Sequence, residues 1–88
     1  MKIKNMTSAR GNKIANQFVL EYGLNCTAFQ SYETLIAVYI HNTDTMYVDG
    51  ERYSSTTSKY LNLFKKEYQP LHIQEVENEE LHKIIERG

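Results

Sequence analysis

LIAVYIHNTDTMYVDGERYSSTTSKYLNLFKKEYQP, residues 35–70, contains the change of hydrophobic period that decides the fold. Its first half is a β-branched and aromatic run, Leu35 to His41, followed after Asn42, Thr43 and Asp44 by a second short segment, Thr45 to Val48. Such runs suit the pleated, half-buried surface of a sheet, and the Asn/Thr/Asp cluster between them is turn chemistry. In the second half Tyr60, Leu61, Phe64 and Tyr68 recur at three- and four-residue spacing, which puts them on one stripe of a helix from about Thr56 to Gln69. Pro70 stops that helix, because its ring excludes the residue before it from helical geometry. Ser54, Ser55 or Thr56 serves as the N-cap, its side-chain oxygen accepting from an orphan backbone N–H. Lys65 and Lys66 lie at the end where the helix dipole favours cations.

Upstream, IANQFVLEY (14–22) alternates so as to place Ile14, Phe18, Leu20 and Tyr22 on one face of a strand, with Asn16 sharing that face. Gly23-Leu24-Asn25 forms a turn, Cys26 to Gln30 a second strand, and Ser31-Tyr32-Glu33-Thr34 the turn into the central strand. Asp49-Gly50 is the pair that tight hairpin turns prefer. The expectation is an α+β fold: an antiparallel four- to five-stranded meander sheet packed by one helix in two layers, with a short C-terminal helix. The fifth strand is LHIQEV (71–76), read as an edge strand with Leu71 and Ile73 facing inward rather than as a linker. Asn78 caps the terminal helix, with Glu79 and Glu80 in its first turn and Leu81, Ile84 and Ile85 as its apolar stripe. A helix that short is marginal alone in water, so it docks on its own domain or on a partner. Residues 1–70 form the sheet-plus-helix domain and 71–88 an acidic extension.

Eighty-eight residues make one domain, burying roughly 60 to 65% of the surface of the unfolded chain. The core is thin and leaves little room for a deep cleft. The longest apolar run is far too short to cross a bilayer, and no apolar segment follows the N-terminal lysines as in a signal peptide. The expected setting is the cytoplasm, without membrane contact. The lone Cys26 forms no internal disulfide and reads as a small buried hydrophobe. Charge is nearly balanced but unevenly placed. Lys2, Lys4, Arg10 and Lys13 open the chain without an acid among them, while Glu67, Glu75, Glu77, Glu79, Glu80 and Glu86 dominate its end. That asymmetry permits a basic and an acidic face on one body, or simply two solvated faces.

No catalytic constellation rises from the residues. His41, His72 and His82 are scattered without metal-ligand spacing, and the glycines stand singly, without a phosphate-binding loop. The reading is of a non-enzymatic protein with no cofactor and no metal site. What does stand out is polar capacity. SARGNKIANQF (8–18) and YSSTTSKYLNLF (53–64) hold more hydrogen-bonding groups than a fold needs. They read either as a contact surface or as internal bracing. Contact residues on this reading are Arg10, Lys13, Tyr32, Tyr53, Thr57 and Lys59, together with the acidic set Glu75, Glu77, Glu79 and Glu80. For Tyr60, Phe64 and Tyr68 the core is the better assignment, whereas Tyr32 and Tyr53 stand at turn and junction positions open to both roles. The hydroxyl-rich helix N-terminus, with Lys59 beside it, also offers a place for an anion. Aromatics interleaved with Arg10, Lys13, Arg52 and Lys59 keep nucleic-acid binding in play.

SARGNKIANQF, FQSYETLIA (29–37) and YSSTTSKYLNLF, taken in order, resemble a group of small proteins of unknown function carried by bacteriophages and other mobile elements. The resemblance covers about Thr7 to Phe64, and the tail from Leu71 departs from the shorter members. It implies mobile-element origin and action by binding in the host cytoplasm. The expected partner is a host protein or defence complex, blocked in the manner of an anti-CRISPR inhibitor whose acidic residues compete for a basic channel. The alternative is a small nucleic-acid-binding accessory protein using Arg10, Lys13, Tyr32 and Lys59. Homodimer formation through an exposed edge strand or the terminal helix is left open.

Overall fold

The computed structural model describes residues 2–8, 10–51 and 53–87; Arg52, one of the cations read from the sequence, lies outside the described residues. Six strands form one sheet in chain order: β1 (Lys2–Thr7), β2 (Lys13–Tyr22), β3 (Cys26–Ser31), β4 (Thr34–Ile40), β5 (Thr45–Asp49) and β6 (His72–Val76). The first five are an antiparallel meander. Helix α1 (Ser55–Tyr68) then crosses over so that β6 lies parallel to β5 at the edge, and α2 (Asn78–Arg87) closes the chain. Parallel neighbours need such a crossover, because a tight turn reverses direction.

The α+β class, the meander, the period change into α1 and the terminal helix agree with the sequence reading, but the layering differs. The two helices occupy opposite faces, so the sheet is the middle of three layers rather than one of two. Under α1 lie Met6, Val19, Phe29, Ile36, Tyr39, Met46 and Val48, with Phe64 fully buried among them and Tyr60, Leu61 and Tyr68 packed around. Leu81 and Ile84 of α2 are buried against Leu20, Cys26, Ala28, Leu35 and Val38 on the other face. Central strands covered on both sides should read as continuous apolar runs rather than alternating ones. That is the character of Leu35 to Ile40. Cys26 is fully buried, and burial pushes its thiol pKa up.

Local chemistry accounts for several departures from expectation. β1 carries one buried side chain, Met6, on an otherwise exposed edge, so its sequence KIKNMT shows no alternation to read. Asn16 adopts a left-handed backbone, φ 63°, which breaks the alternation of β2. Phe18, Leu20 and Tyr22 therefore face α2, whereas Ile14 packs on the α1 side. Asp49-Gly50 makes no hairpin. The Gly50 N–H donates to Val76 O at 3.1 Å, and the chain leads through Tyr53 and Ser54 into α1. Leu71 and Ile73 point outward, 77% and 49% exposed, since α1 does not extend over the β6 edge. α1 begins as expected, with Ser54 Oγ accepting from Thr57 N at 3.3 Å, and ends with Gln69 in the left-handed conformation just before Pro70.

Candidate functional site

Strand directions bring the polar motifs to one end of the sheet. The β1–β2 turn with Arg10, the β3–β4 turn with Tyr32, the β5–α1 connection and the entry to α2 all lie there. At the centre of this end the motif residues bind one another. Gln17 stands opposite Ser31 in the β2–β3 ladder, Ser31 Oγ lies 3.2 Å from Thr57 Oγ1, and all three are buried. Tyr32 N donates to Asn16 O at 2.7 Å, joining two residues that both hold positive φ. Gln30 Nε2 donates to Tyr32 O at 2.8 Å. Gln17 Oε1 is buried without a partner among the described residues. This is the bracing arrangement: α1 is seated on β3 through hydroxyls as well as rings. Thr57 therefore lies inside the fold, and its own N–H, one of the first-turn donors, is taken by Ser54 Oγ.

A second joint sits beside it. Asp49 is buried, and its carboxylate accepts from Glu51 N at 3.0 Å, Asn78 Nδ2 at 2.8 Å and the Tyr53 hydroxyl. Burial by itself would raise the pKa of Asp49, but the hydrogen bonds from Tyr53, Glu51 N–H and Asn78 together outweigh it and hold the group below its ordinary value. Tyr53 is pushed up correspondingly, by burial first and then by its bond to Asp49. Asn78 opens α2 with its side chain turned into the sheet, also donating to Leu35 O at 2.7 Å. Tyr53 and Asn78 thus couple β5, α1 and α2. Sequence reasoning missed this joint, because Asp49 beside a glycine looks like turn chemistry.

The remaining candidates are at the surface. Arg10, Lys13 and Lys59 are exposed, Tyr32 is 57% exposed, and the Lys59 ammonium lies 5.4 Å from the Tyr60 ring centroid. Glu75, Glu77 and Glu79 are exposed and Glu80 half-buried, paired with Arg87 at 3.5 Å. The structure does not merge the two sets. Arg10 and Lys13 belong to the β1–β2 side, and the glutamates to the β6 edge and the start of α2. Across the sheet those edges stand roughly 24 Å apart, five strand spacings. At the acidic edge Asp49, Gly50, Glu51, Val76, Glu77, Asn78 and Glu79 surround an open depression of about 440 Å³. Among the described residues Glu51, Glu75, Glu77 and Glu79 form no ion pair. The dipole of α2 gives Glu79, Glu80 and Glu77, which directly precedes the helix and whose carbonyl accepts from Glu80 N, a structural reason to be acidic, whereas Glu51 and Glu75 have none of that kind.

His41 is bonded to Thr27 Oγ1 at 2.8 Å and wedged against Tyr39 and Tyr68. Among the described residues no three His, Cys, Asp or Glu side chains gather as metal ligands would, and no helix is long and apolar enough to cross a membrane. No curated protein matches the chain. No solved structure matches it either. A family model does, over residues 1–85. The chain therefore belongs to DUF8033, a family of unknown function.

Proposed function

We propose that this chain is a small non-enzymatic binding protein that covers a basic surface on a protein complex, in the manner of an inhibitor. The observation that carries the reading is the acidic edge: Glu51, Glu77 and Glu79 project around one depression, with Glu75 next to it on the α1 side of β6, and none of the four forms an ion pair among the described residues. Beside them β6 presents an open strand edge with Ile73 and Leu71 exposed. Acids on an edge strand also discourage edge-to-edge aggregation, but that protective role requires neither the gathering of Glu51, Glu77 and Glu79 at the entry to α2 nor the exposed leucine. Acids and apolar groups together fit a basic protein surface and repel a phosphate backbone. The mobile-element origin and the defence-complex target implied by the sequence resemblance belong to this proposal.

Nucleic-acid binding is the second reading, supported by Tyr32 standing exposed at the same end of the sheet as Arg10, Lys13 and the start of α1. A tagged pull-down with and without nuclease separates the two. The proposal expects a stoichiometric protein band that survives nuclease and disappears when Glu51, Glu75, Glu77 and Glu79 are changed to Gln. Nuclease-sensitive absorbance at 260 nm that is lost in Arg10→Ala and Lys59→Ala would replace it with the second reading.

A further inference from the structure

Each face of the six-stranded sheet carries one helix, and neither helix spans it. On the α1 face, the strip over β1 and β2 is topped by the Lys4–Glu21 ion pair at 3.5 Å. On the opposite face α2 packs on β4 and β5; Cys26 and Ala28 of β3 are fully buried there, and the strip over β1 and β2 is apolar and open. Ile3 is 60% exposed there, Phe18 and Tyr22 are half-buried, and Leu20 forms the floor. Two contiguous depressions, about 300 and 240 Å³, share Leu20, Tyr22 and Gln30 and run from Ile3 to the flank of α2 at Ile85. The rim carries Glu33, Glu86 and His82, and no Lys or Arg lines either depression.

We infer that this strip docks an amphipathic helix of a protein partner, with an apolar stripe and lysine or arginine flanks, lying beside α2. The inference rests on the protein-binding reading above and gives it a second contact. Two adjacent strands beside the flank of α2 offer about 10 Å of width, the diameter of one helix. A sheet face has no free backbone groups, so a strand gains nothing by lying on it, whereas a helix brings side chains at three- and four-residue spacing. The acidic rim selects basic flanks. A second copy has no free helix to offer, since the centres of both its helices' stripes, Phe64 and the pair Leu81 and Ile84, are buried on its own sheet.

The test titrates 15N-labelled protein with a Leu/Lys amphipathic helical peptide and with its Leu/Glu counterpart, following backbone amide shifts. The expected shifts concentrate at Ile3, Phe18, Tyr22, Glu33, Ile85 and Glu86 with the Leu/Lys peptide. Binding weakens about tenfold or more in Ile3→Lys, which alters an exposed side chain and keeps the fold, and in the Glu33→Lys/Glu86→Lys pair. The Leu/Glu peptide binds at least as weakly as those variants. Absence of binding, equal binding of both peptides, or a dimer in sedimentation that protects this strip would overturn the proposal. Changing Glu51, Glu75, Glu77 and Glu79 to Gln leaves the peptide site intact. Shifts gathered at those glutamates instead would overturn the strip while leaving the acidic edge standing.

Discussion

The two faces of the sheet are finished to different degrees. On the α1 face, a helix of fourteen residues is tied into the chain at both ends. Phe64 stacks near Phe29, with ring centroids 5.8 Å apart, and Tyr68 closes on Tyr39 at 4.9 Å. The hydroxyls of Thr57 and Ser31 fix its start. On the α2 face, a ten-residue terminal helix is held by Leu81, Ile84 and the Asn78 joint, and a strip of sheet beside it stays bare. A motif rich in hydrogen-bonding groups therefore marks the closed side here, while the surfaces left uncovered carry carboxylates and plain apolar residues.

The comparison is broken most severely at Phe64. Phe64→Ala empties the centre of the α1 face and is expected to lower global stability by about 4 kcal/mol, measured by urea unfolding. Leu81→Ala removes a buried side chain too, at about 3 kcal/mol. Because α2 is terminal, its loss is expected to appear first as α2 amides exchanging ahead of the strands. Equal acceleration of every amide would show that the faces are not separable.

Asp49 sharpens the link between the faces. Asp49→Ala leaves the Tyr53 hydroxyl and the Asn78 amide without their shared acceptor, an expected cost of about 2 to 3 kcal/mol. Its pKa is depressed in the folded chain, so its stabilisation is complete above the ordinary value of 3.8 and drains away as pH falls through the lower native value. Unfolding midpoints between pH 5 and pH 2, about that window, should flatten in Asp49→Asn. Tyrosine gives the opposite limb. Tyr39 is pushed up to about 12, first by its hydrogen bond to Asp44 and then by burial. That contribution is complete below the ordinary phenol value and is lost as pH rises through about 12. Ultraviolet titration should show Tyr39 and Tyr53 un-ionised well above the ordinary phenol range, and Tyr39→Phe should remove one late step.

Smaller effects test the bracing. Thr57→Val keeps the shape and deletes the hydroxyl, with an expected loss of about 1 to 2 kcal/mol. Ser54→Ala removes the cap, at about 1 kcal/mol. Ile3→Ser, on the open strip, should leave stability within about 0.5 kcal/mol.

Much of this fold is legible in the sequence. Alternation in 14–22, the runs from Cys26, Leu35, Thr45 and Leu71, the period change at Ser54, Pro70 and the acidic first turn after Asn78 give five of the six strands and both helices nearly to the residue. What stays hidden depends on partners distant in the chain. No local pattern announces that Asn16 turns left-handed to meet Tyr32, that β6 joins β5 in parallel, or that Asp49 answers to Asn78. The site is legible in part: Arg10, Lys13, Tyr32 and the glutamates are surface, whereas Thr57 and Tyr53 look the same in sequence and are turned inward. Glu51, Ile3 and Phe18 gain their meaning only from the faces and edges on which the sheet sets them.

The most direct test of the account is hydrogen exchange on the complex recovered from a nuclease-treated pull-down, compared with the free chain. Protection gained in β1, β2, β6 and α2, with none at Ser54–Lys59 or around Arg10, is the predicted result. Protection confined to Arg10, Lys13, Tyr32 and Lys59 would contradict it.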